Sequence, residues 1–337
     1  MRPIKLKKSI KHAIKHNLPL LIKGAPGVGK TDIMKQACEE TDTELIISHP
    51  VVSDPTDYKG LPFPNPDGKE AHFLPFGELN KLLQADKPTV FFMDDLGQAS
   101  ISVQAAAMQL ILGRQINGFN VSDHVVFMAA TNRRQDKAGV AGILEPVKSR
   151  FASIIELTPT HEDWIQWALK EGVNERVIAF VKTKPDILFA FEATSDLVNT
   201  PSPRTIVNAS KIIDTVKDDL ILRDELVAGA AGEGFAAEYA AYERVYDKIP
   251  SIDEIMHDPE NAIIPEGHHL DRLFAISVMC SNYMNAENYE QLYKYVSRLP
   301  RDFEFAVHTD ASYRDNSIID DSLGFLKWIK NNKDLIA

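Results

Sequence analysis

The 337 residues carry 37 basic and 48 acidic side chains, a formal net charge of −11, with 44% hydrophobic and 25% charged residues. That is ordinary globular composition, long enough for two or three packed units, and its acidic balance disfavours a phosphate backbone, so nucleic-acid binding is not expected. No apolar run approaches the roughly 20 residues of a membrane span, the N-terminus lacks a leader pattern, and Cys38 and Cys280 alone make neither a disulfide framework nor zinc spacing; a soluble, cytoplasmic protein with no membrane partner is expected.

The first predicted element is a helix. No acid precedes Asp32, while Arg2, Lys5, Lys7, Lys8, Lys11 and Lys15 crowd this stretch, which reads as a solvated face. His12 and His16 stand four apart on it, but Ala13 occupies the place where a zinc protease needs glutamate, which excludes that chemistry. An apolar strand over residues 18–22 follows and runs into Gly24-Ala25-Pro26-Gly27-Val28-Gly29-Lys30-Thr31, which fills the pattern G-x-x-x-x-G-K-[ST] between a strand and a helix carrying Ile33, Met34 and Ala37. Glycines there let backbone N–H groups turn inward around phosphates, the helix N-terminus adds partial positive charge, Lys30 reaches the outer phosphates, and the Thr31 hydroxyl suits Mg2+. The expected nucleotide-binding set is 24–31 together with Asp32, and the expected ligands are ATP and Mg2+.

Further strands are expected at 44–48, 89–93, 124–130 and 153–157, each a run rich in β-branched or aromatic residues of the kind buried on both faces in a parallel sheet. Helical patterns between several of them give a right-handed, doubly wound α/β sheet over about residues 1–157. Two hairpins interrupt it. Five prolines and the turn Pro66-Asp67-Gly68 punctuate Tyr58, Phe63, Phe73 and Phe76 between 53 and 76, and Asn117-Gly118 marks the second hairpin. The strand at 89–93 ends in Asp94-Asp95; beside a P-loop, Asp94 is the candidate for the magnesium shell and Asp95 for orienting the attacking water.

Beyond residue 158 helices take over. Thr160 with Asp163 reads as a cap before Trp164, Asn174 as a cap before Val177, with Pro185 ending that helix; Ser202-Pro203 opens another with Ile206, Ala209 and Ile213 on one face. A cluster read as flexible, Gly229, Gly232 and Gly234, precedes helical patterns over 235–249, 270–284 and 289–299. The adjacent pair His268-His269 lacks metal-ligand spacing.

The order of these motifs resembles an AAA+ ATPase, and within that group the MoxR family with its phage and prophage relatives. Ala129-Ala130-Thr131-Asn132 is similar to sensor 1, where Asn132 would help hold the lytic water; Ser149-Arg150-Phe151 resembles the segment of the arginine finger; Pro201-Ser202-Pro203-Arg204 resembles sensor 2. The resemblance implies a five-stranded parallel sheet of order 5-1-4-3-2 in a core over 1–157 with the insert at about 53–76, a helical lid over 158–234 and a C-terminal helical extension over 235–337. It implies catalytic roles for Asp95, Asn132, Arg150 and Arg204, with Thr31 and Asp94 at the metal. Arg150 has a plainer reading, a helix cap or a pair with Glu145, and Arg133 and Arg134 rival it for action from a neighbouring subunit. Such action implies a homo-oligomeric ring, usually a hexamer, remodelling a protein client, often one with a von Willebrand A domain; the insert is implied to touch clients, against the plainer reading that its aromatics pack on the core. The family's usual second acid is glutamate, and Asp95 is one methylene shorter, which leaves open a slow nucleotide switch. A DNA-directed motor is the remaining alternative, opposed by the net charge.

Overall fold

Five of the predicted strands pair into one parallel sheet. The computed structural model describes residues 1–136, 142–194, 196–246 and 248–332. Its contacts divide the chain into two compact units, Met1–Pro159 and Thr160–Ala337.

In the first unit α1 (Pro3–His16) leads to β1 (Leu20–Gly24), α2 (Lys30–Glu39) and β2 (Glu44–Ser48). The insert holds α3 (Pro55–Lys59), β3 (Leu61–Pro64) and β4 (Ala71–Leu74), followed by α4 (Gly77–Gln84) and β5 (Thr89–Met93). A 3-10 turn at Leu96–Gln98, α5 (Ile101–Gly113), the hairpin β6 (Gln115–Ile116) and β7 (Phe119–Asn120), β8 (Val125–Asn132), α6 (Glu145–Lys148) and β9 (Ser153–Glu156) complete it. The sheet order is β2-β5-β8-β1-β9, which is the expected 5-1-4-3-2 counted over the five sheet strands. Strand β1 begins at Leu20 rather than residue 18 because the Leu18 N–H closes the end of α1 on the Ala13 oxygen at 3.0 Å and Pro19 has no N–H to give a ladder.

Side-chain alternation builds two cores, one per sheet face. On β5, Val90 and Phe92 join Ile22, Met128, Ile33, Met34, Leu6 and Ile10, while Phe91 and Met93 join Leu21, Phe127, Leu79, Leu82 and Leu110 on the other face. Each such side chain contributes about 1.5–3 kcal/mol by leaving water. Register then fixes the site: Gly24 lies opposite Asn132, and Met93 lies opposite both Ala129 and Ser48. The P-loop, the Asp pair and Asn132 therefore all leave the sheet at its carboxyl edge, where open α/β sheets hold ligands.

The insert hairpin pairs Leu61 with Leu74 and Pro64 with Ala71, its turn at Gly68 taking φ +68°. It is anchored from below. Tyr58, fully buried, bonds the Ser48 hydroxyl at 3.0 Å and the Ser53 hydroxyl at 3.3 Å, and a capping box between Asp54 and Asp57 starts α3. Leu61, Phe63 and Leu74 are exposed. Of the aromatics the plainer reading concerns, Phe63, Phe73 and Phe76, the first is exposed with the His72 ring at 6.3 Å and the other two are half-buried; the ring buried in the core is Tyr58.

The second unit contains α7 (His161–Lys170), α8 (Glu175–Thr183), a 3-10 turn at Pro185–Phe189, α9 (Pro203–Thr215), α10 (Leu220–Ala231), α11 (Glu233–Tyr246) and α12 (Ile252–His257). Then follow α13 (Leu270–Tyr283), α14 (Tyr289–Val296), α15 (Arg301–Arg314), α16 (Ser317–Asp321) and α17 (Leu323–Asn331). Thr160, Asn174 and Ser202 cap α7, α8 and α9 through their side chains. Phe235 and Tyr239 of α11 share a core with Val177, Phe180 and Ile206, and α13 gives Ala275 and Val278 to that core but Leu273, Ile276 and Cys280 to the next. The glycine cluster read as flexible is a helix corner. Gly229 lies within α10 and Gly234 within α11; Gly232 between them has φ +96°, and a Cβ there would stand 2.9 Å from the Asn199 carbonyl oxygen. Among the described residues no helix is long and apolar enough to cross a membrane.

Candidate nucleotide site

The helix that opens at Lys30 has no side chain capping it. Its N-cap is Gly29 at φ +90°, and Gly27 is also left-handed at φ +71°, conformations glycine adopts without steric cost. The N-cap residue thus offers the first turn of α2 no side-chain acceptor, the arrangement of a phosphate-binding helix start. Gly24 serves packing instead. A Cβ there would lie 3.2 Å from the Leu157 carbonyl oxygen and 3.3 Å from Val28 Cγ2.

Lys30 is 7% exposed. Its Nζ donates to the Gly24 oxygen at 3.2 Å, the Ala25 oxygen at 3.0 Å and Asn132 Oδ1 at 2.7 Å. The other end of the Asn132 amide donates from Nδ2 to Asp95 Oδ1 at 3.3 Å. Its orientation is thereby fixed, oxygen toward the cation and nitrogen toward the carboxylate. Thr31 Oγ1 donates to Asp94 Oδ2 at 2.6 Å, while Asp94 Oδ1 accepts the Asp95 N–H at 3.1 Å. A hydroxyl and a carboxylate in contact form a hard-oxygen pair that fits a magnesium ion held partly by water.

Asp95 sits at φ +57°, ψ +33°, left-handed for a residue that carries a Cβ. Aspartate tolerates this region better than longer side chains, though it still costs on the order of 1 kcal/mol. The turn that follows is closely packed. Leu96 is fully buried, and Gly97 lies against Thr131 on β8. Sequence reasoning passed over Gly97; its signal was an isolated glycine two residues after a strand-ending acid pair.

Five of the expected site residues therefore converge: Lys30, Thr31, Asp94, Asp95 and Asn132. Ala25, Pro26, Gly27, Val28 and Gly29 form the loop around them, and Asp32 lies in the first turn of α2. The candidate arginines of the first unit have other partners. Arg150 donates from Nη1 to the Pro146 oxygen, so in this chain it caps α6, and Glu145 pairs with Lys148 instead. Arg133 is held by Asp136 at 2.9 and 2.8 Å, with Glu156 at 3.6 Å; Arg134 beside it is exposed. Arg204 is exposed in the first turn of α9, in the second unit. The rings of His12 and His16 meet tilted on α1, their centroids 4.4 Å apart. His268 and His269, with Glu266, bring ligand atoms within 4.8 Å of one another, Glu266 and His268 being exposed and His269 half-buried.

Residues 20–159 match the family described as "ATPase family associated with various cellular activities (AAA)". No curated protein matches the sequence. Among solved structures, a RuvB mutant from Thermotoga maritima is similar at 15% identity and a TM-score of 0.43, over 87% of this chain and 86% of that one. NtrX from Brucella abortus in complex with ADP is similar at 11% identity and a TM-score of 0.44, over 99% of this chain and 68% of that one. From the family match, the chain carries an AAA ATPase domain over residues 20–159 and is an ATP-binding ATP hydrolase.

Proposed function

We propose that the chain hydrolyses MgATP at the site around Lys30 and uses the cycle, in a homo-oligomeric ring of the hexameric kind, to remodel or assemble a protein client. The observation that carries the catalytic part is the continuous set of contacts from Lys30 through Asn132 to Asp95, beside the Thr31–Asp94 pair. In this reading the P-loop N–H groups and Lys30 bind the phosphates, and Thr31 and Asp94 hold Mg2+, which neutralises phosphate charge. Asp95 and Asn132 orient the attacking water between a carboxylate acceptor and an amide. Phosphoryl transfer needs little more than such positioning.

The ring rests on arginine placement. Arg133 is already engaged by two acids of its own chain, which leaves Arg150 as the proposed group acting on a neighbour's nucleotide, and Arg134 as its rival. Arg204 is proposed as the second-unit arginine that meets the phosphates. Support for a protein client is the insert hairpin, which offers exposed Leu61, Phe63 and Leu74 on a buried anchor; a client with a von Willebrand A domain is the first class to test. MoxR-like membership and the division into core (1–157), lid (158–234) and extension (235–337) belong to the same proposal, as does a cytoplasmic location.

Steady-state ATPase assays over a range of protein concentrations test it. Specific activity should rise with concentration and be lost in Arg150→Ala; activity proportional to concentration, and indifferent to that substitution, would contradict a site completed by a neighbour. A second reading, a switch that barely hydrolyses, is favoured by the short Asp95 side chain, since a displacement of about 1 Å can cost on the order of a hundredfold in rate. Turnover below about one per hour under saturating MgATP, with assembly intact, would select the switch.

A further inference from the structure

Nothing in the nucleotide-binding pattern assigns a role to the residues that follow the acid pair, yet they are among the most tightly packed in the first unit. Leu96 is fully buried and Gly97 is buried with it. A Cβ built on Gly97 would overlap the Thr131 hydroxyl, would lie 3.3 Å from Thr131 Cβ, and would meet Ile143 Cγ1 at an ordinary 3.4 Å. The obstruction is therefore one side chain, Thr131. That residue is itself 7% exposed and β-branched, and its hydroxyl donates to the Asn132 carbonyl oxygen at 3.1 Å, so it has little freedom to turn away.

The two sides of this contact belong to the two halves of the proposed water site. Gly97 stands two residues after Asp95, in the turn for which Asp95 is the N-cap; Gln98 closes that turn by donating its N–H to the Asp95 oxygen at 2.9 Å. Thr131 directly precedes Asn132. How closely the turn approaches β8 thus sets how far the Asp95 carboxylate stands from the Asn132 amide, now 3.3 Å from Nδ2 to Oδ1. Asp95 is left-handed at φ +57°, so its backbone has little further adjustment to absorb a displacement of the turn.

We propose that Gly97 is a positioning residue for ATP hydrolysis: its missing Cβ lets the Leu96–Gln98 turn seat against Thr131, and this seating holds Asp95 at Asn132. The nearest neighbours of a Cβ at position 97 are Thr131 and Ile143 rather than P-loop atoms, and Lys30 meets the pair through Asn132 Oδ1 at 2.7 Å. A methyl group at position 97 lifts the turn by a few tenths of an ångström or more and acts on turnover rather than on binding. The inference rests on the reading of Asp95 and Asn132 as the pair that orients water.

The test is a double-mutant cycle on the full chain, with kcat and KM for MgATP and binding of a fluorescent ATP analogue measured for Gly97→Ala, Thr131→Ala and the double variant. With Thr131 present, Gly97→Ala should lower kcat about ten- to a hundredfold, leaving analogue affinity within about twofold. With alanine at 131 the same glycine substitution should change kcat by less than about threefold, whatever the rate of Thr131→Ala alone. An unchanged kcat in Gly97→Ala overturns the inference; so does an equal loss in both backgrounds, which would mark a general packing defect. If Gly97→Ala alone fails to fold, the double variant decides: turnover equal to that of Thr131→Ala supports the contact, and a second failure overturns it. Asp95→Asn is assayed alongside. Undiminished turnover there removes the reading beneath the inference, whereas a loss there with none in Gly97→Ala overturns the inference alone.

Discussion

At the scale of single residues, the site works by dividing tasks between groups that touch. Asn132 is the joint, since its amide oxygen takes the Lys30 ammonium and its amide nitrogen serves the Asp95 carboxylate. Replacing Asp95 by asparagine keeps the size but removes the charge that polarises water, while the P-loop contacts of ATP stay as they are. Asp95→Asn should leave nucleotide affinity within about threefold and lower turnover by at least about tenfold; stopped-flow binding and a phosphate-release assay separate the two. The sequence carried nearly all of this set, because a P-loop is a local pattern whose chemistry depends on consecutive residues. Arg150 was less legible. Its present partner is the Pro146 carbonyl of its own helix, and a contact with another subunit is not written in the spacing of one chain.

At the scale of elements, the sheet was readable because each strand is a continuous apolar run and its two faces separate at a period of two, as on β5. The helical unit was readable where a cap announces a start, at Thr160, Asn174 and Ser202, and less so where no cap does: α15 begins after Pro300 with no side-chain cap. Helix α15 also holds the unit's least expected chemistry. Its Asp310 pairs with Lys182 of α8, and burial pushes the Asp310 carboxyl up despite that partner. Lys182→Ala leaves a buried acid unpaired and should cost about 3–5 kcal/mol in denaturant unfolding, whereas Lys182→Met with Asp310→Leu should cost far less.

Two residues earlier on α15, His308 is fully buried between Trp328 and the rings of Tyr289 and Phe325, with neither ring nitrogen hydrogen-bonded among the described residues. Burial pushes its pKa down to about 3. Because the unfolded chain binds this proton near pH 6.5 and the folded chain only near 3, His308 costs nothing by protonation above about pH 6.5. Below that, stability falls by about 1.4 kcal/mol per pH unit until pH 3. His308→Phe should be neutral or stabilising at pH 7, and its advantage over the parent should grow between pH 6 and 4 in urea melts; a constant difference across that range would contradict a neutral buried imidazole.

At the scale of the whole molecule, the chain consists of an α/β unit that carries the ATPase domain and an all-helical unit of similar length. Strand patterns fade in the sequence after residue 158, where continuous apolar runs give way to helical spacing. That α13 contributes to two cores was not legible, because its partners are distant in the chain and no local pattern records them. Assembly is argued at this scale too. Light scattering should report a larger species with a non-hydrolysable ATP analogue than without it, and a mass unchanged by nucleotide would contradict a ring that ATP stabilises.

The account depends most directly on Lys30 and the uncapped start of α2 being a triphosphate cradle. Isothermal calorimetry of the full chain with MgATP tests that claim: a saturable binding heat is predicted for the parent, weakened on the order of a hundredfold in Lys30→Ala, since a buried charge-assisted contact is removed. No heat from the parent, or an isotherm identical in Lys30→Ala, would contradict it.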